Sequence, residues 1–132
     1  MKKYIFYISI LCALFYTACQ KDEIITSKPG EAISPVTNLE HSILDTNINL
    51  TWKLPATLQA DIIKPVSVFI IMSVDGQNKG NVVLENAPET YTYSPYDAEK
   101  KYKFTVKVMG KVDTKSPTVS NLRYSPGQTI SF

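Results

Sequence analysis

The chain has 132 residues, 14 of them Lys or Arg and 12 of them Asp or Glu, which gives a formal net charge of +2. This length supports one domain with a single hydrophobic core, and the small charge gives no electrostatic case for nucleic-acid binding. The two cysteines are Cys12 and Cys19. Because Cys12 lies in a segment typical of a cleaved leader, we expect no disulfide in the mature protein.

The first 18 residues have the pattern of a secretory signal peptide. Lys2 and Lys3 make a positive start, an apolar run covers residues 4–16, and the small residues Thr17 and Ala18 close the segment. The run is shorter than the ~20 residues that a membrane-spanning helix needs, and a buried core helix is the alternative. Cleavage after Ala18 removes two lysines, so that 12 Lys and Arg balance 12 Asp and Glu in the remaining chain.

Thr17, Ala18 and Cys19 resemble the lipobox of bacterial lipoproteins, in which the cysteine thiol is acylated and the cysteine becomes the new N-terminus. The resemblance implies lipid attachment at Cys19, with palmitate among the acyl chains. Each buried methylene contributes ~0.8 kcal/mol, so two or three chains hold a protein firmly on a membrane where one chain does not. An ordinary cysteine beside a cleavage site is the alternative.

A short charged segment follows the cysteine and consists of Gln20, Lys21, Asp22 and Glu23. It resembles the export signal that sends lipoproteins of Bacteroidota to the outer face of the outer membrane. The resemblance implies a lipid-anchored protein that faces the cell surface. The start of a solvated linker is the alternative, because such a linker would also be charged.

The chain is expected to divide into a signal peptide (1–18), a lipid-anchored tether (19–32) and one domain (33–132). Pro29 and Gly30 form a breaker pair before the domain. The first strand is predicted over residues 34–39 and the second over residues 48–54, where apolar and polar side chains alternate without error.

A third strand is predicted over residues 66–74, after a loop that ends at Pro65. One face of this strand is wholly apolar and is assigned to the core: Val66, Val68, Ile70, Met72 and Val74. Phe69 and Ile71 then point outward on the other face. Either the ends of the chain cover these two side chains, or they form a contact patch.

The rest of the chain continues the strand pattern, and no stretch has a convincing helical period. Residues 101–108 have the cleanest alternation. Further strands are predicted over residues 80–85, 89–94, 101–108, 116–122 and 128–132. About seven short strands at this spacing indicate an all-β fold, a β-sandwich.

Residues 34–122 resemble the fibronectin type III domain at its core and corner positions. The matching residues are Pro35, Leu39, Trp52, Pro55, Tyr91, Tyr93, Tyr96, Tyr102, Phe104, Val106, Val108 and Ser116. The resemblance implies a fibronectin type III or immunoglobulin-like β-sandwich, a buried Trp52 and a tyrosine corner at Tyr102. An immunoglobulin-like sandwich of another topology is the near alternative. These positions specify the fold and not the function.

Little in the sequence points to chemistry. His41 is the single histidine and is expected in a loop, and one histidine without supporting ligands does not make a zinc site. We therefore expect no metal, no cofactor and no enzyme, with a small hydrolase as the minor alternative. A lysine cluster is expected to keep a face soluble or to bind an anionic glycan or partner: Lys100, Lys101, Lys103, Lys107, Lys111 and Lys115.

Two functions suit these features. The first is a surface lipoprotein that acts as a non-catalytic binding or interaction module, held to the membrane through Cys19, with a glycan or another envelope protein as its partner. The second is a structural spacer, or a strand-exchanging subunit of an envelope or pilus-like assembly, which would present an unpaired edge strand or an apolar groove.

Overall fold

The computed structural model describes residues 31–113 and 120–132. They form eight strands: β1 (Thr37–Leu44), β2 (Asn47–Lys53), β3 (Ile62–Val74), β4 (Gln77–Leu84), β5 (Thr90–Tyr93), β6 (Tyr102–Val112), β7 (Leu122–Tyr124) and β8 (Gln128–Ser131). No helix within these two ranges is long and apolar enough to cross a bilayer. The predicted signal peptide, Cys19 and the segment Gln20 to Glu23 lie outside the described residues.

The strands form two antiparallel sheets that pack together. The smaller sheet has the order β1-β2-β5, and the larger sheet has the order β4-β3-β6-β7, with β8 also paired to β6. The core between them is built from the inward side chains of β2, β3 and β6, together with Ile33 and Val36 before β1. The predicted β-sandwich is therefore confirmed.

Strict alternation in β2 and β6 decides which side chains enter the core. Ile48, Leu50 and Trp52 are buried, while the residues between them face solvent or the sheet surface. In β6 every second residue from Tyr102 to Gly110 is buried in the same way. Since side chains on a strand point alternately to opposite faces, the apolar half of each strand is removed from water and the polar half is left outside.

Two side chains show the geometry that the fibronectin type III resemblance implied. Trp52 is 2% exposed, and its indole Nε1–H donates to the carbonyl oxygen of Pro88 at 2.9 Å. The Tyr102 hydroxyl oxygen accepts a hydrogen bond from the backbone N–H of Asp97 at 2.9 Å. This bond ties the start of β6 to the connection that precedes it, as a tyrosine corner does.

Several predicted strand boundaries were wrong. β4 begins at Gln77 and not at residue 80, and β6 ends at Val112 and not at residue 108. The first strand covers residues 37–44 and not 34–39, so His41 lies in a strand and not in a loop, with its ring stacked on Phe132 at a centroid distance of 3.8 Å. The third strand begins at Ile62 and passes through Pro65. Both strands shift register, between Thr37 and Glu40 and between Ile63 and Ser67. Such bulges let a strand continue past a residue that would otherwise end it.

The two C-terminal strands pair with different parts of β6, along the edge that faces away from β3. β8 pairs with Lys103 to Val106, and β7 pairs with Met109 to Lys111. Between them, Ser125 continues the contact, since its N–H donates to the carbonyl oxygen of Val108 and its Oγ accepts from the Val108 N–H. Of the last predicted core strand (116–122), residues 116–119 lie outside the described residues. The strand observed at its end, β7, extends beyond it to Tyr124.

Candidate functional site

The outer face of the larger sheet carries both residues predicted for a contact patch. Phe69 and Ile71 are half-buried and point away from the core, whose side Val68 and Ile70 occupy. Phe69 lies opposite Val83 of β4 and Lys107 of β6.

The C-terminal strands cover Phe69 only in part. Its ring meets the Tyr124 ring edge to face, with centroids 5.8 Å apart and an interplanar angle of 71°. Tyr124 is opposite Met109, and Met109 is opposite Ser67 of β3. Val83 is 44% exposed and Ile63 is 49% exposed. Part of this apolar surface therefore remains open to solvent.

We name this surface the apolar strip and define it as Ile63, Phe69, Ile71, Val83, Met109 and Tyr124. Sequence reasoning found two of its members and missed the other four. Met109 continues the alternation of β6 by one step beyond the predicted end of the strand. Val83 lies between Val82 and Leu84, which are also apolar. The alternation of apolar and polar residues therefore did not show whether Val83 points toward the core or away from it. Tyr124 lies beyond the predicted end of the last core strand.

Three of the clustered lysines form a row beside the apolar strip. Lys103, Lys107 and Lys111 alternate along the outer face of β6. β6 lies between β3 on one side and β7 and β8 on the other. These lysines are therefore not on an edge strand, where they would prevent pairing with another chain. None of the ion pairs in the described part of the chain involves them.

The other clustered lysines are placed differently. Lys100 is paired with Asp97 at 3.2 Å, and Lys101 is exposed just before β6. Lys115 lies outside the described residues. The sequence cluster therefore divides, and its central three members share a surface with Phe69. We name Lys103, Lys107 and Lys111 the lysine row.

A shallow hollow lies at the end of the apolar strip where β3 begins. The residues that line it include Ile63, Ser67, Glu85, Met109 and Lys111. The hollow is open on one side and holds a mixture of apolar and basic groups. It suits contact with a surface or an extended chain better than enclosure of a small molecule.

The outer face of the smaller sheet has a different character. Thr92 Oγ1 and Asn49 Oδ1 are hydrogen-bonded across its strands at 2.8 Å. At one end, Lys53 and Glu89 form an ion pair at 3.0 Å. Thr51 is exposed on β2 between Asn49 and Lys53. This face is polar throughout β2 and β5, as expected for a sheet face that meets water.

The carboxyl groups with displaced pKa values all belong to structural contacts away from the apolar strip. Hydrogen bonding to Arg123 lowers the pKa of Asp61. The Leu54 N–H, followed by Lys53, lowers the pKa of Glu89. The Glu99 N–H, followed by Lys100, lowers the pKa of Asp97. Each shift stabilises the charged form, whereas a general acid needs a raised pKa.

Residues 31–113 and 120–132 contain no group of three or more His, Cys, Asp or Glu side chains that could hold a metal ion. His41, the single histidine, instead stacks on Phe132 near the end of the chain.

A family model described as "Domain of unknown function (DUF4945)" matches residues 19–132. The chain belongs to this family. No curated protein matches the chain. The matched region of this DUF4945 protein begins at Cys19, the residue predicted to carry the lipid.

The DUF4945 description names no ligand and no reaction. The two outer faces differ most in the apolar strip and the lysine row, which only the larger sheet carries. This face is the candidate site of the DUF4945 domain.

Proposed function

We propose that this protein is a lipid-anchored protein of the outer membrane that faces the cell surface, and that its sandwich is a non-catalytic interaction module. The observation that carries the proposal is the apolar strip. A sheet face turned to water is ordinarily polar, as it is on the smaller sheet of this same molecule apart from Leu44 at the end of β1. Exposed apolar side chains gathered on one face favour a contact surface.

The anchor is supported by the sequence around Cys19. A charged start, an apolar run and two small residues precede this cysteine, which is the order found in lipoprotein leaders. The family match begins at the same residue, which agrees with removal of the first 18 residues. The Gln20 to Glu23 segment supports export to the cell surface.

An interaction role is favoured over catalysis by the contacts that the carboxyl groups with lowered pKa values make. Asp61 and Glu89 each join a loop to a strand or its end, through Arg123 and through Lys53 with the Leu54 N–H. Asp97 bonds to Glu99 and Lys100 within the connection before β6. None of the three carboxyl groups lies in the hollow beside the apolar strip. The partners expected from the sequence are the membrane, through the lipid on Cys19, and a glycan or another envelope protein. Phe69 and its neighbours are the surface that such a partner would meet.

Lipid attachment is tested by growing cells with labelled palmitate and comparing the native protein with the Cys19→Ala variant. Label on the native protein and its loss in the variant are expected. The Cys12→Ala variant is the matched control and should keep the label. A native protein that takes up no label would refute the anchor.

The surface location is tested by treating intact cells with a protease. We expect the native protein to be degraded, while a variant with Lys21, Asp22 and Glu23 changed to Ala is protected but stays in the membrane fraction. Changing residues 26–28 to Ala is the control and should leave the protein accessible. Protection of the native protein would place it on the periplasmic side.

A further inference from the structure

We propose that the outer face of the larger sheet lies against the membrane surface that holds the anchor, with the lysine row bound to anionic lipid headgroups and the apolar strip at the boundary of the headgroup layer. This inference rests on the proposed lipid anchor and names the partner of the same face. The occupant is a lipid surface, and a glycan, a partner protein and a second copy of this chain are the competing occupants.

The charge on this face is the first argument. Lys103, Lys107 and Lys111 are basic groups on one strand, and Lys64 adds a fourth where it lines the hollow. Glu85 is the carboxylate that lines the hollow. An excess of positive charge therefore collects on one face, although the chain after Ala18 is balanced in charge. A group of lysines on one face of a protein is attracted to an anionic lipid surface.

The apolar strip is the second argument. Lys107 lies directly opposite Phe69 in the sheet register, and Lys111 lies opposite Ile63. Lysines can extend their charged ends to headgroups while their stems cover apolar surface. Aromatic and aliphatic side chains next to basic ones are the composition of surfaces that lie in a membrane interface. A free phosphate or sulfate would engage the lysines but would leave Phe69 and Val83 in water.

The place where the chain enters the fold is the third argument. Ile33 is fully buried beside Ile62 and Gly110. Ile63 follows Ile62 in the chain and Lys111 follows Gly110, and both Ile63 and Lys111 lie on the candidate face. The described chain therefore begins at the end of the larger sheet that carries the hollow.

The length of chain before the fold limits how far the domain can move away. Twelve residue steps separate Cys19 from Glu31, and a chain of that length spans at most about 40 Å even when fully extended. A domain held within this distance meets the membrane surface at a high effective concentration. Weak contacts by a few lysines are then sufficient to orient it.

The test uses the full-length lipoprotein inserted in two kinds of vesicle: phosphatidylcholine alone, and equal parts of phosphatidylcholine and phosphatidylglycerol. Flotation with both kinds establishes the anchor. An amine-reactive reagent then labels the lysines, and mass spectrometry gives the rate at each one. We expect Lys103 and Lys111 to react about fivefold more slowly on the anionic vesicles, relative to Lys53 on the smaller sheet. High salt should remove the difference.

Matched variants separate a specific face from net charge. Lys103→Gln with Lys111→Gln removes two positive charges from the face, and Thr37→Glu with Ser42→Glu changes the charge equally on the smaller sheet, where these two positions are opposite Lys53 and Asn49. All four positions are exposed, so the fold should persist in both variants. Protection of Lys107 on anionic vesicles should disappear in the first variant and persist in the second.

Three results would overturn the proposal. Equal reaction rates on both vesicles would show that the face does not meet lipid. Equal protection on both would show that something other than anionic headgroups covers it, such as a second copy of the chain. A protein that does not float with either vesicle would remove the anchor, and with it the proposed function itself.

Discussion

Arg123 and Asp61 face each other through two hydrogen bonds, from Nη1 to Oδ1 at 3.1 Å and from Nη2 to Oδ2 at 2.7 Å. The arginine side chain is only 7% exposed, whereas the aspartate side chain is 49% exposed. The pair joins β7 to the turn before β3, at the end of the sheet where the chain enters the fold. Such two-point contacts fix orientation as well as contributing energy.

Asp61 should make stability depend on pH. Its pKa lies below the ordinary value of 3.8 because Arg123 stabilises the carboxylate. The contribution is therefore present above pH 3.8 and is lost as the pH falls through the lowered pKa. We expect the Asp61→Asn variant to melt a few degrees lower than the native protein at neutral pH, with the two melting curves converging in acid. Glu85→Gln is the control, and an unchanged melting temperature in Asp61→Asn would contradict the prediction.

The tyrosine corner should contribute a measurable part of the stability. Tyr102→Phe removes the oxygen that accepts from the Asp97 N–H and leaves that donor without its partner. The free energy of unfolding should fall by about 1 kcal/mol, as measured by urea denaturation. Tyr96→Phe, on a neighbouring ring, serves as the control and should change it by less than about 0.5 kcal/mol. Equal effects of both variants would argue against a specific role of the Tyr102 hydroxyl.

Gly110 should not accept a larger side chain. A methyl group at this position would lie 2.8 Å from Ile33 Cδ1 and 2.9 Å from Ile62 Cγ2, and both isoleucines are buried. We expect Gly110→Ala to lower the free energy of unfolding by about 1–3 kcal/mol, as overpacked cores do. Ile33→Val removes the nearest methyl group, so the double variant should recover part of the loss. If Gly110→Ala is as stable as the native protein, the close packing here is not a constraint.

The two faces of the larger sheet should respond differently to substitution. Ile70 is fully buried, so Ile70→Ala should cost about 2–5 kcal/mol in a denaturant titration. Val83, on the outer face opposite Phe69, should tolerate Thr within about 0.5 kcal/mol. On anionic vesicles, however, the same Val83→Thr change should weaken protection of Lys103 and Lys111. A large loss of stability in Val83→Thr would mean that the apolar strip serves the fold and not contact.

Local alternation determined the main features of the core. In β2 and β6 the apolar residues recur at every second position. The strand geometry then places Trp52 on the core face of the smaller sheet, and Phe104 and Val106 on the core face of the larger sheet. The same period of two predicted that Phe69 and Ile71 point outward. The resemblance implied a tyrosine corner at Tyr102. Its hydroxyl contacts the backbone N–H of Asp97, only five positions earlier in the chain.

The tertiary structure decided what lies next to these residues. The Phe69 and Tyr124 rings meet because β7 pairs with β6, and Arg123 reaches Asp61 across 62 positions in the chain. Bulges carried β1 and β3 beyond their predicted bounds. The lysine row lies on a central strand and not at an edge because β8 and β7 both pair with β6. These relationships depend on pairing between distant strands, whose register a local pattern of side chains does not specify.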